Sequence, residues 1–184
     1  DLSKDKVVSK KGNEDIGNQT WYTMYAKEKK YATQLTGTKI KSNMIYGSQW
    51  DATMRWFAKS SNNFVKTYPV NAQNSINANF SGERKPTGSV GSVNNIYDMA
   101  GNMHDWVVGA LAHYGRMLRG WGYNVSSDYS MAGSYTYNVP SYTYNDCTSR
   151  MSLYIPASSS VTEKTYIKNG LILHLDGINN TGSG

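Results

Sequence analysis

Helical spacing of apolar positions appears in two stretches of this chain, both in its first third. From Thr20 onward, Trp21, Met24, Tyr25, Glu28 and Tyr31 recur at helical intervals, with Lys27, Lys29 and Lys30 on the other side. This predicts a helix from about Thr20 to about Leu35, stopped before Gly37. Trp50, Met54 and Phe57 then fall at i, i+4 and i+7, predicting a second helix from about Gln49 to about Lys59. Ser48-Gln-Trp-Asp51 ahead of it has the outline of a helix-capping pattern. Two short amphipathic helices this close together suit an α+β domain in which both pack on a sheet.

After the second helix the pattern changes. Residues 60–93, rich in Ser, Asn, Gly, Pro and Thr, read as a long loop, with Phe64, Val65, Tyr68, Val70, Ile76 and Phe80 as its anchors. Val107, Val108, Ala110 and Leu111 suggest a core strand, and Met117-Leu118 a short one before Gly120. Met151, Leu153 and Ile155 alternate with Ser152 and Tyr154, which predicts a strand with one buried face. Residues 1–18 read as an irregular or edge-strand lead-in. The expected organisation is one domain over residues 1–155, a linker over 156–165, and a further strand or tail over 166–184, the possible start of a truncated following domain. The tail Asn169-Gly-Leu-Ile-Leu-His-Leu-Asp-Gly resembles the first strand of laminin-G or concanavalin-like sandwich domains.

Between Tyr114 and Ser149 no helical period survives. The segment instead carries seven tyrosines, at 114, 123, 129, 135, 137, 142 and 144, interleaved with Ser, Thr, Asn and Gly. That mixture is the composition of antibody contact loops: Tyr gives area at low entropic cost, and Ser and Asn give adaptable hydrogen bonds. Ser134-Tyr-Thr-Tyr-Asn138 recurs as Ser141-Tyr-Thr-Tyr-Asn145. If extended, each copy puts its two tyrosines on one face. The alternative is that these rings pack on the domain's own sheet.

Flanking this segment is a signature. Asn94-Asn-Ile-Tyr-Asp-Met-Ala-Gly-Asn-Met-His-Asp-Trp106, then Arg116-Met-Leu-Arg-Gly120, then Arg150-Met-Ser-Leu-Tyr154 resemble the formylglycine-generating-enzyme branch of the C-type lectin fold. The likeness covers roughly residues 20–155, with Tyr46-Gly-Ser-Gln-Trp-Asp-Ala52 in the second-helix region. It implies a C-type-lectin-like α+β fold: two helices, a small twisted, mostly antiparallel sheet and long irregular loops. It also resembles the variable proteins of diversity-generating retroelements, which carry hypervariable positions between an Arg-Gly turn and the final strand. Adenine-directed mutagenesis of Asn-type codons yields Asn, Tyr, Ser, Thr, Asp and Gly, the residues found here. Arg119-Gly120 matches that turn. Trp121 departs from it, standing where these proteins usually have a second Gly, and Ser130-Met-Ala-Gly133 departs from their usual Pro-Ala-Ser-x-Arg.

The fold alone does not decide activity. The family's oxidases use paired cysteines with copper, whereas Cys147 is this chain's only cysteine and no intrachain disulfide can form. Sulfoxide-forming relatives use a histidine cluster on iron; His104, His113 and His174 lack the His-x₃-His spacing expected of it. No Gly-x-Ser-x-Gly elbow and no phosphate-binding glycine loop is present. Asn102 and Asp105, with backbone carbonyls of their turn, are candidates for a structural calcium site of the kind seen in parts of this family, or else for hydrogen bonding a buried loop. Arg119 and Arg150 are expected either as buried partners of Asp98 or Asp105 or as ligand contacts.

Charge narrows the partner. The chain carries a formal net charge of +6 over 184 residues, but its lysines gather at the front. From Asn94 to Ile155 there are three arginines and no lysine, against Asp98, Asp105, Asp128 and Asp146. Phosphate-driven nucleic-acid binding needs the opposite distribution. No apolar run of membrane-spanning length occurs. The expected function is therefore ligand binding, not catalysis. The predicted contact residues are Trp121, Tyr123, Asn124, Asp128, Tyr129, Tyr135, Tyr137, Asn138, Tyr142, Tyr144 and Asn145. The partner would be a protein or glycan on a host or neighbouring cell surface, and the location extracellular, on a cell surface or a phage virion. The rivals are a catalytically inactive structural module whose Tyr-rich face meets its own neighbouring domain and, behind it, an oxidase. If the retroelement resemblance holds, sibling gene copies will differ mainly between Gly120 and Ser149; sequencing that finds silent or scattered differences would reject it.

Overall fold

The computed structural model describes residues 10–35, 39–60, 78–89, 92–112, 114–125 and 132–156. The anchors Phe64, Val65, Tyr68, Val70 and Ile76 lie outside these residues, as do the start of the lead-in and nearly all of the expected linker and tail. Helix α1 spans Trp21–Tyr31 and opens on Thr20, whose hydroxyl accepts the Thr23 N–H at 3.1 Å. Lys29 and Lys30 close it, favourably placed at the carbonyl end. A short 3₁₀ turn, Ala32–Gln34, continues it, so the predicted single helix is two pieces. Helix α2, Gly47–Ser60, begins two residues earlier than predicted. Its cap is not Ser48 with Asp51: Gln49 Oε1 reaches back to the Tyr46 N–H at 2.9 Å. Asp51 is thereby left for another partner.

Strand β1 (Lys41–Met44) pairs antiparallel with β8 (Met151–Tyr154). Strands β2 (Ser92–Val93) and β3 (Ile96–Tyr97) form a small hairpin. Its two-residue loop, Asn94-Asn95, has positive φ at both positions (49° and 63°), the conformation of a type I′ turn. The main sheet runs in the order β6 (Tyr135–Asn138), β5 (Gly115–Arg119), β4 (His104–Ala112), β7 (Cys147–Ser149). All neighbours in it are antiparallel except β4 and β7.

Cross-strand partners share a face, so the register separates two cores. Trp106, opposite Leu118, joins Trp21, Met24, Met44 and Cys147 beneath α1. Val107, one residue on, belongs with Trp50, Met54 and Phe57 of α2 on the other side. The indole N–H of Trp21 donates to Val107 O at 3.1 Å and that of Trp50 to Ala132 O at 2.7 Å, satisfying both buried donors. The predicted buried face of β8 is not observed: Leu153 and Ile155 are exposed, because β8 pairs only with β1 and no described element covers that face. Among the described residues no helix is long and apolar enough to cross a membrane.

Glu28 lies buried in α1, with Oε1 accepting from Ser149 Oγ at 2.8 Å and Oε2 without a partner. Burial pushes its carboxyl up from 4.5 to about 8, Asp105 adding to the rise while Ser149 and Arg150 oppose it. The folded chain keeps this proton where the unfolded chain has lost it, so stability is whole below about pH 4.5 and falls as pH rises to about 8. Asp105, raised by burial from 3.8 to about 6 against the pull of Arg150, contributes the same slope at lower pH. Glu28→Gln is therefore expected to flatten the loss of stability between pH 6 and 8 and to gain at least about 1 kcal/mol at pH 8. Denaturant melts across that range check it, and unchanged slopes would show that folded Glu28 is ionised.

Candidate functional site

The site rests on two arginines, Arg119 buried and Arg150 half-buried. Arg150 donates to Asp105 Oδ2 through Nε (3.1 Å) and Nη2 (2.9 Å), and to the carbonyls of Tyr97 (3.1 Å) and Asp98 (3.0 Å). Its guanidinium lies 5.4 Å from the Trp50 ring centroid. Arg119 pairs with Asp51 of α2 at 2.7 Å, not with Asp98 or Asp105, and its other arm donates to the carbonyls of Gly133 and Ser134. Both are thus internal partners.

Asn102 and Asp105 do not fit a calcium ion. Asn102 makes every side-chain hydrogen bond an amide can make. Its Nδ2 donates to Asp15 Oδ2 (2.7 Å) and Lys85 O (3.0 Å), and its Oδ1 accepts from Asn79 Nδ2 and Lys85 N, both at 2.9 Å. No lone pair remains for a cation. Asp105 Oδ2 is held by Arg150, and its Oδ1 is buried without a partner. Among the described residues no group of three His, Cys, Asp or Glu side chains is placed to hold a metal. Asn102 instead ties Asp15 and the segment 78–89 to the turn that leads into β4, and its carbonyl receives the N–H of Tyr123 at 2.9 Å.

At the turn itself Gly120 (φ 80°) brings its α-carbon against the Trp50 ring, where an added Cβ would lie 3.2 Å from it. Trp121 follows with φ 63°, in the left-handed region that glycine prefers. The resemblance leads one to expect a second Gly at this position; here a left-handed backbone carries an indole instead. The indole N–H donates to Ser134 Oγ, and the ring sits 5.7 Å from that of His104.

Tyr135 and Tyr137 project from the same face of β6 and are exposed, at 54% and 43%. Arg119 lies 5.6 Å from the Tyr135 ring. Tyr137 packs edge-on against Tyr114 at 6.0 Å, and a hydrogen bond between the two pushes the Tyr137 phenol up. Gly115 lets the Tyr137 ring lie on its α-carbon; a Cβ there would meet the ring at 2.6 Å. Asn124 is exposed and donates to Asp146 Oδ2 at 2.9 Å, and His104 Nε2 lies 4.0 Å from the same oxygen. Two groups of contacts result: Tyr114 with Tyr137, beside Tyr135 on β6, and Ser134 through Trp121 and His104 to Asp146 and Asn124.

Other predicted contacts fall elsewhere. The second copy of the repeat is not a strand: Tyr142 is exposed in a turn closed by its N–H on Val139 O, whereas Tyr144 is half-buried against Trp106. Their backbones are held by different partners, Tyr142 N donating to Val139 O and Tyr144 O accepting from Asn18 N, which splits the expected pair. Asn138 lies opposite Arg116, on the face away from the two β6 tyrosines. Tyr123 is half-buried and Asn145 exposed. Asp128 and Tyr129 lie outside the described residues. Tyr114, His104 and Asp146 were absent from the predicted contact set. Tyr114 was legible as one of the seven tyrosines, but nothing in sequence brings His104 to Asp146.

Two helices on either side of a small, mostly antiparallel sheet, with long irregular connections, define an α+β protein of C-type-lectin type. Solved structures share this arrangement. Treponema denticola variable protein 1 is 16% identical with a TM-score of 0.60, over 79% of this chain and 73% of that one. PvdO from Pseudomonas aeruginosa is 16% identical with a TM-score of 0.57, over 79% of this chain and 63% of that one, so this chain spans under two thirds of it. CarF is 13% identical with a TM-score of 0.53, over 83% of this chain and 77% of that one. These likenesses establish the fold that the signature implied. Neither a family model nor a curated protein matches the chain.

Trp121, half-buried and hydrogen-bonded, differs from Tyr137, which stands in solvent. Trp121→Ala is expected to cost about 1–3 kcal/mol and Tyr137→Ala less than about 1 kcal/mol. Thermal melts of the two variants check this, and equal losses would contradict the assignment.

Proposed function

We propose that this chain is a non-enzymatic ligand-binding module of receptor or adhesin type, working outside the cell on a cell surface or virion. The observation that carries this reading is the pair of exposed tyrosines on β6, held by a neighbouring strand whose Arg119 is locked to α2. Rings fixed on a strand lose little entropy when a ligand covers them, so their area counts toward affinity. Fold likeness to a variable protein supports the reading by analogy. Thiol-dependent oxidase chemistry is disfavoured by Cys147, the only thiol: it is fully buried, and burial beside Asp146 pushes its pKa up, suppressing the reactive thiolate.

Protein and glycan arrays probed with the wild-type chain are expected to give capture that falls at least about tenfold in Tyr135→Ala and Tyr137→Ala, with melting temperatures little changed. Capture undiminished in both variants would remove these tyrosines from the interface. Absence of any capture would favour the structural module that docks on a neighbouring domain.

A further inference from the structure

Three acidic side chains of the scaffold are matched to arginines: Asp51 to Arg119, Asp105 to Arg150 and Glu14 to Arg84. Asp146 is matched differently. Its side chain is only 19% exposed, and its described neighbours are the Asn124 amide, the Cys147 thiol at 3.5 Å and the His104 ring. His104 is itself nine-tenths buried, and its Nδ1 has no partner. A protonated ring would bury an unsatisfied N–H at that atom, so the geometry favours the neutral imidazole. Burial lowers the His104 pKa, with Asp146 opposing, which agrees. Asp146 is therefore a half-buried carboxylate that no cationic side chain among the described residues neutralises.

Beside it stands aromatic surface. The Trp121 N–H is spent on Ser134, so what the half-buried indole offers a ligand is its ring. Gly122 leaves room here: a Cβ on it would lie 2.9 Å from both Asn124 Oδ1 and the His104 ring. A carboxylate, a carboxamide and an indole gathered at one edge form a receptor for an organic cation, by ion pairing, hydrogen bonding and cation–π attraction. The nearby arginines do not oppose it. Arg119 and Arg150 are turned inward on carboxylates, and Arg116 lies over Trp21.

We propose that Asp146, Asn124 and Trp121 form the charged anchor of the binding face and take a lysine or arginine side chain of a partner protein. This rests on the ligand-binding reading of the face and narrows it, since a neutral sugar would leave the carboxylate uncompensated. The Tyr114–Tyr137–Tyr135 surface then supplies contact area next to the anchor.

The test is an NMR titration of the whole chain with Nα-acetyl-lysine methylamide, compared with its uncharged norleucine counterpart and with a methyl glycoside. The expected result is saturable shifts of the Trp121 indole and Asn124 amide signals with the lysine probe alone. Asp146→Asn should weaken that response by about tenfold or more, while Leu153→Ala, at an exposed position on β8, leaves it intact. Should Asp146→Asn not fold, the exposed Asn124→Ala carries the same expectation. Equal response to norleucine, indifference to both variants, saturation by the glycoside, or no response to any probe would each overturn the anchor. Shifts confined to Tyr135 and Tyr137 would overturn it while leaving the ligand-binding reading in place.

Discussion

Arg150 is the residue on which the remaining architecture depends. Its side chain collects the Asp105 carboxylate from β4, two carbonyls from the end of the β2–β3 hairpin, and the face of Trp50 on α2. Its own carbonyl accepts the Ile45 N–H at 3.0 Å, and Ile45 O accepts from Val108 N at 2.9 Å, joining the β1–β8 pair to the main sheet. One residue, through side chain and carbonyl together, thus connects two sheets, a hairpin and a helix. A buried ion pair of this kind adds little net stability over an apolar equivalent, because desolvation offsets the attraction. What it supplies is geometry: five directional donors admit one arrangement of the surrounding carbonyls.

The polar knot around Asn102 complements it. An amide with four bonds made leaves no choice of orientation, and through Tyr123 N and the carbonyl of Asn79 it fixes the chain just beyond the Arg119-Gly120 turn. The result is a scaffold held on either side of a segment that presents Asn124, Tyr135, Tyr137 and Tyr142 to solvent. In the proposed binding role, a fixed scaffold lets exposed rings be covered by a ligand at little entropic cost.

Much of this was legible in the chain. Helical periodicity located both helices, and the Asn94–Trp106 signature indicated the fold that the solved structures share. What escaped was whatever depends on long-range pairing. The two copies of Ser-Tyr-Thr-Tyr-Asn are identical in sequence, yet only the first becomes a strand, because only it lies beside β5. Leu153 and Ile155 alternate as if half-buried, yet no described element covers them. Asp51 looked like part of a cap until Gln49 proved to fill that role and Asp51 to face Arg119. His104 and Asp146 stand 42 positions apart, and only the parallel pairing of β4 with β7 makes them neighbours.

Arg119 holds the entry to β6 by the carbonyl oxygens of residues 133 and 134, atoms that every amino acid possesses. Likewise Gly82 and Asn102 hold residue 123 through its main chain alone. Such fastenings are indifferent to which side chains stand at these points. A polypeptide attached in this way can exchange the chemistry it presents, at 123 or along residues 135–138, without renegotiating its attachment to the fold. The grip is generic and the display is free to be particular.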